Sequence, residues 1–177
     1  MAEYDAFASW ISAYSNPILT NISLFIDIFT YPLLALLLIY LFFIKKDRKR
    51  AISICVTYAI LIFLVIALKL AFTEERPCTA PWKIQCPLDY ALPSGHTAAV
   101  AVLLAAYLTA PSFPITLLIY LAVSLSRIYL GVHIFKDVLA GTAMAFSVFF
   151  IVDMALSKLR IEERVNRVMG KGKLKSK

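Results

Sequence analysis

Residues 126–137, SRIYLGVHIFKD, separate two long apolar runs, yet they gather an arginine, a histidine and an aspartate within a dozen positions. Charged and imidazole side chains are costly at a membrane boundary, so their presence there marks a functional segment. A helix continuing past Gly131 sets His133 and Asp137 four residues apart on one face. A carboxylate so placed accepts a hydrogen bond from one imidazole nitrogen, fixes the tautomer and makes the other nitrogen a better nucleophile. Arg127 adds a planar fork of donors suited to a phosphate. The pattern is that of an active site.

Outside this stretch the chain is strongly apolar. With 61% hydrophobic residues, 16% charged residues and a mean hydropathy of +0.80, its 177 residues do not suit an ordinary soluble domain. The formal charge of +7 is concentrated at Lys45–Arg50 and in the tail from Lys158 to Lys177, beside apolar runs. That is the pattern of cytoplasmic segments facing anionic lipid, and the lack of a basic stripe interleaved with aromatics argues against nucleic acid. No repeat or linker divides the chain, so residues 1–177 read as a single domain.

Five apolar runs, at about 22–44, 51–72, 94–110, 115–129 and 136–156, predict five spans. Residues 1–15 hold Glu3 and Asp5 but no Lys or Arg, so no secretory signal is expected there. Ala6, Phe7, Trp10, Ile11 and Tyr14 recur at helical spacing, which predicts a short amphipathic helix lying at the interface. The fold expected is an all-α, polytopic membrane bundle of five spans plus this interfacial helix, with six spans as the alternative. Placing Lys45–Arg50 and the basic tail 158–177 in the cytoplasm puts the loop Thr73–Leu92 and the segment 126–136 together on the extracytoplasmic side. Cys78 and Cys86 both fall in that outer loop, where an oxidising compartment lets them pair over the site mouth; Cys55, within the second span, reads as a packing residue.

Two further blocks face the same side. Lys69 and Arg76 are seven residues, nearly two turns, apart and share a face if the second span continues upward. Pro93-Ser94-Gly95-His96 heads the third span. Ser94 suits an N-cap, Gly95 allows close backbone approach, and the free N–H groups of such a helix start form an anion site. His96 is placed to donate a proton to a departing oxygen. The two histidines of the chain thus lie in blocks that share one compartment. Asp27, near the outer end of the first span, reads as an interfacial or helix-pairing residue instead.

Lys69…Arg76-Pro77, Pro93-Ser94-Gly95-His96 and Ser126-Arg127…His133…Asp137 together resemble the three-part signature of the type-2 phosphatidic acid phosphatase family, whose superfamily includes vanadium-dependent haloperoxidases. The resemblance covers residues 69–137; family members commonly have six spans, and this chain offers a weaker first helix. It implies a membrane hydrolase acting on lipid phosphates by two displacements at phosphorus. His133, oriented by Asp137, is the nucleophile and forms a phosphohistidine, and His96 protonates the leaving oxygen. Lys69, Arg76 and Arg127, with the Ser94 hydroxyl and the Gly95 and His96 amides, neutralise the phosphoryl oxygens. Three fixed cations take the place of a metal ion, so neither metal nor cofactor is expected. The expected partners are the membrane and a lipid phosphate substrate, first a polyprenyl diphosphate, then phosphatidylglycerophosphate or phosphatidate. Halide oxidation and non-enzymatic lipid-phosphate binding or transport are the competing classes; retention of His96, His133 and Asp137 favours turnover.

Overall fold

The computed structural model describes residues 6–174, with side-chain surroundings through residue 159. The described residues form helices and connections, without a strand. α1 is Ala6–Ala13, α2 Pro17–Ile39, α3 Arg48–Phe72, α4 Gly95–Ala106, α5 Phe113–Tyr129 and α6 Phe135–Leu174. A π-helical segment, Tyr40–Ile44, prolongs α2 to the basic turn.

Local chemistry sets the helix ends. Asn16 Oδ1 accepts from the amides of Ile18 and Leu19, and Pro17 occupies the first helical position, where its missing N–H costs nothing. Asp47 caps α3 by accepting from the Arg50 amide, and Thr73, in the left-handed region, ends it.

Three helical stretches, Pro17–Ile44, Arg48–Phe72 and Phe135–Leu159, are long and apolar enough to cross a membrane. The run at 94–110, expected to be a full span, forms only the 12-residue α4. At ~1.5 Å per residue that is about 18 Å, against a hydrocarbon thickness of about 30 Å. Its apolarity matches its surroundings in the bundle, since every residue from Thr97 to Ala105 is buried. α4 is the axis of the bundle, packed by α3, α5 and α6, and such a helix is hydrophobic all round. The main core joins Val102, Leu103 and Ala98 to Leu34, Leu41, Ile54, Leu61 and Phe149.

The exterior is apolar as well, with Ile18, Ile28, Phe63, Ile66 and Leu70 exposed, as suits contact with lipid. Cys55 lies on this exposed surface, correcting its reading as a packing residue. α1 is too short to span; Ala8 and Ile11 pack on Ile128, Ile134 and Val138 while Trp10 stays exposed. Residues 1–5 of the expected N-terminal helix, and the side chains of the basic tail beyond residue 159, lie outside the described residues.

The two ends of the bundle differ. At one, Arg50 lies over the Tyr107 ring and Ser53 bonds Asp153, bringing together the start of α3, the end of α4 and the middle of α6. At the other, Tyr129 at the end of α5 bonds Asn16 at the start of α2, and Ser94 ahead of α4 bonds Asp137 in α6. The three polar blocks belong to this second end.

Candidate active site

His133 precedes α6 and is not on a helix, so the expected shared helical face is corrected. The carboxylate reaches back instead. Asp137, in the first turn, accepts the Ile134 amide on Oδ2 at 3.0 Å, and His133 Nδ1 stands 3.2 Å from the same oxygen. The first contact is the reciprocal half of a capping box, so helix start and ring orientation share one oxygen. Arg76 Nη1 lies 3.0 Å from His133 Nε2. A guanidinium only donates, so Nε2 accepts and the ring proton sits on Nδ1, facing Asp137. Burial first, then the charges of Arg76, Arg127, Lys69 and His96, hold the His133 imidazole well below its ordinary range. His133 is therefore neutral, with its Nε2 lone pair directed into the cation cluster.

Two glycines make this placement possible. Gly131 has φ +72°, and a Cβ there meets Thr79 Oγ1 at 2.6 Å and the Ala80 amide nitrogen at 2.8 Å. A Cβ on Gly141 meets the Ser94 carbonyl oxygen at 2.6 Å, so α6 approaches the start of α4 only because that position is bare.

Lys69 and Arg76 come together, but not along one helix face: α3 ends at Phe72 and Arg76 lies in the following loop. They meet at Asp89. Its Oδ2 accepts from Lys69 Nζ at 2.5 Å, and its Oδ1 accepts from Arg76 Nη2 at 2.6 Å. Backbone oxygens also hold both cations, Tyr90 O taking Lys69 Nζ while Asp89 O and Val132 O take Arg76 at 3.0 and 3.1 Å. Burial pushes the Asp89 carboxyl up, but the bonds from Lys69 and Arg76 outweigh it and hold it below the usual carboxylate range.

The third cation, Arg127, is buried at the end of α5 and donates through Nη1 to Asp27 of α2. Its Nε is buried without an acceptor among the described residues. His96 Nε2 lies 3.2 Å from Asp27 O and 3.5 Å from Asp27 Oδ1, and its ring packs against Tyr31 at 4.6 Å between centroids. Ser94 stands at the N-cap position of α4, but its hydroxyl donates to Thr97 Oγ1 at 3.1 Å and caps no backbone amide. Gly95 is the first residue of α4.

Three further charged residues that hold this end together lie outside the sequence motifs: Asp27, Asp89 and Lys83. The buried Lys83 donates to Ser12 O, Tyr14 O and Tyr129 O at 2.8, 2.7 and 2.9 Å, pinning the end of α1 to the end of α5. In the same loop Cys78 and Cys86 form a disulfide, their Cα atoms 5.7 Å apart. Glu74 pairs with Lys136.

The fold and site together define a helical membrane protein with a cluster of cations and two imidazoles at one end. The model of the PAP2 superfamily matches residues 50–160, which include all three motifs, and the chain belongs to that superfamily. Over 131 residues, or 68% of the chain, it is 35% identical to an undecaprenyl-diphosphatase of Sulfolobus acidocaldarius. It spans 60% of that relative's length. The crystal structure of Aquifex aeolicus LpxE superposes with a TM-score of 0.68 at 24% identity, over 86% of this chain and 97% of that one. That of the first transmembrane PAP2 type phosphatidylglycerolphosphate phosphatase from Bacillus subtilis gives 0.66 at 23% identity, over 86% and 84%. These two likenesses concern the fold.

Proposed function

We propose that the protein is a metal-independent membrane phosphatase that removes the terminal phosphate of a lipid (pyro)phosphate through a phosphohistidine. The observation that carries this reading is the neutral His133, its Nε2 lone pair facing a cluster of cations. Nε2 attacks phosphorus, a P–N bond forms, and the P–O bond to the lipid breaks. Burial, then the charge of Arg127, push the His96 imidazole down to about 4 against the pull of Asp27 Oδ1 at 3.5 Å. In this reading the negative phosphate of the bound substrate restores its protonated form, and His96 gives that proton to the leaving oxygen. Water then attacks phosphorus while neutral His96 takes its proton, the P–N bond breaks, and phosphate leaves. Lys69, Arg76 and Arg127 stabilise charge on the phosphoryl oxygens in both steps, and the orphan Arg127 Nε is a donor that such an oxygen satisfies. A seat lined by three cations suits an anion and repels a divalent metal.

A lipid substrate is supported by an apolar cavity of about 380 Å³ beside His96. It is bounded by Tyr31, Leu34, Tyr58, Leu61, Val65 and Gly95, and leads from the head of α4 down between α2 and α3. Likeness to the undecaprenyl-diphosphatase favours a polyprenyl diphosphate over phosphatidylglycerophosphate or phosphatidate. The site end faces outward in this reading, because Lys45–Arg50 mark the opposite end as cytoplasmic and the Cys78–Cys86 disulfide suits an oxidising compartment.

The test is phosphate release from purified polyprenyl diphosphate, phosphatidylglycerophosphate and phosphatidate, with a chelator present, by wild type and His133→Ala. We expect the highest rate with polyprenyl diphosphate and loss of turnover in the variant. Full turnover by His133→Ala eliminates the nucleophile, and activity abolished by the chelator eliminates the metal-free mechanism.

A further inference from the structure

Each clamp cation carries an internal carboxylate, but the two acids differ in kind. Asp27 is confined: its side chain is 21% exposed and its partner Arg127 is 2% exposed. The Asp89 side chain is 54% exposed and lies on a loop, yet it draws Lys69 and Arg76 together with both of its oxygens. That carboxylate is not needed to hold the cations in place. Tyr90 O already engages Lys69, and the carbonyls of Asp89 and Val132 already engage Arg76. Two oxygens of one anion bridging an ammonium and a guanidinium reproduce what two phosphoryl oxygens would do there.

We propose that Asp89 is a displaceable internal counter-ion seated in the phosphate position, and that it weakens the binding of every phosphate by one factor, so that free phosphate falls below useful occupancy while phosphate delivered on a lipid does not. The inference rests on the reading of Lys69 and Arg76 as phosphate-binding residues. A phosphate entering the seat must turn the carboxylate out toward solvent, which its exposure allows. A lipid phosphate has its hydrocarbon chain to add binding free energy and is concentrated at the membrane surface. Inorganic phosphate, the reaction's own product, and soluble phosphate esters have neither advantage. A seat left free about one-tenth of the time weakens apparent affinity for a free anion about tenfold. Product inhibition is reduced by the same factor.

The test compares inhibition of lipid-phosphate hydrolysis by orthophosphate and orthovanadate in wild type, Asp89→Asn and Asp89→Glu. Asp89→Asn should lower both inhibition constants about tenfold and lower KM for p-nitrophenyl phosphate in the same direction, whereas Asp89→Glu, which keeps the charge, should stay near wild type. Inhibition constants that stay level or rise in Asp89→Asn overturn the proposal, because the carboxylate then positions the cations. Should that variant fail to fold, Asp89→Ser, shorter and neutral, is read against the same two outcomes. Direct orthophosphate binding in the His133→Ala background, by calorimetry, separates the two readings. Tighter binding on adding Asp89→Asn is expected, and unchanged binding refutes the counter-ion. Absence of any phosphate affinity in His133→Ala and wild type alike refutes the assignment of the seat itself.

Discussion

Replacing Asp137 by asparagine separates orientation of the proposed nucleophile, His133, from stabilisation of its charge. Asp137 is fully buried, and Oδ2 serves both the Ile134 amide and His133 Nδ1. An asparagine must present its oxygen to the Ile134 N–H, because the alternative leaves two buried donors facing each other. That same oxygen then still accepts from Nδ1–H, so the reactive tautomer survives and only the charge is lost. His133 becomes cationic as Nε2 bonds to phosphorus. A full charge 3.2 Å away stabilises that cation by about 5 kcal/mol at an effective dielectric constant of ~20. A neutral acceptor keeps about half of this, which leaves a loss of about 2.5 kcal/mol, or about 10²-fold in turnover. Asp137→Ala forfeits orientation as well and should lose about 10⁴-fold. Phosphate-release kinetics measure the rates, and imidazole nitrogen NMR of His133 reports the tautomer. An asparagine variant with its proton on Nε2, or one as impaired as the alanine, refutes the reasoning.

Other outcomes follow from the same contacts. Gly131→Ala places a Cβ against the Thr79–Ala80 segment at a left-handed φ; the conformation alone costs about 1–2 kcal/mol and the close approach adds to it, so thermal unfolding should move several degrees lower with turnover reduced. Because His133 is active as the free base and its pKa is depressed by burial and by neighbouring cations, the acid limb of kcat/KM from this group should fall below pH 6.5. The same depression contributes stability that is complete above pH 6.5 and is lost as pH falls through the folded-state value, which urea unfolding across pH 4–7 checks. Lys83→Met strands three carbonyl acceptors at the joint of α1 and α5 and should cost about 2–4 kcal/mol, seen as a lower melting temperature and faster proteolysis near residue 14.

How much of this was legible beforehand depends on the length scale of each interaction. The motif residues stood out because they are rare polar groups in an apolar chain, and each motif is local. His133 and Asp137 are together, but the i,i+4 spacing suggested a shared helical face where the structure has a side chain folded back on its own helix start. Of the acids, Asp27 reads from the sequence as an interfacial or helix-pairing residue and does pair α2 with α5. Neither its partner nor the role of Asp89 is legible there. Asp89 lies 13 residues from Arg76 and 20 from Lys69, in a loop without periodicity, and Asp27 lies 100 residues from Arg127. No sequence pattern encodes such through-space pairs. Nothing in the sequence singles out Lys83, although it stands in a segment with Pro81, Pro87 and two cysteines; the carbonyls it meets belong to the distant Ser12, Tyr14 and Tyr129. At 94–110 the apolar run does not fix the helix length, because a helix surrounded by protein and one surrounded by lipid are equally apolar.

The two counter-ions permit a decisive contrast, since Asp27→Asn and Asp89→Asn remove the same charge from the same cluster. Asp89 leaves behind cations that keep their backbone acceptors. Asp27 leaves behind Arg127, which is 2% exposed and whose Nε already has no acceptor among the described residues. An uncompensated buried guanidinium costs about 3–5 kcal/mol, so Asp27→Asn should lower thermal stability sharply. Asp89→Asn should lower it less, because Lys69 and Arg76, 11% and 6% exposed, keep their backbone acceptors. The Asp27 defect should also be repaired by an anion: orthovanadate placed in the seat offers Arg127 the oxygen it lost, so the melting temperature should recover more in Asp27→Asn than in wild type. Equal melting temperatures for the two variants, or no differential recovery with vanadate, would mean that Arg127 does not face the phosphate seat.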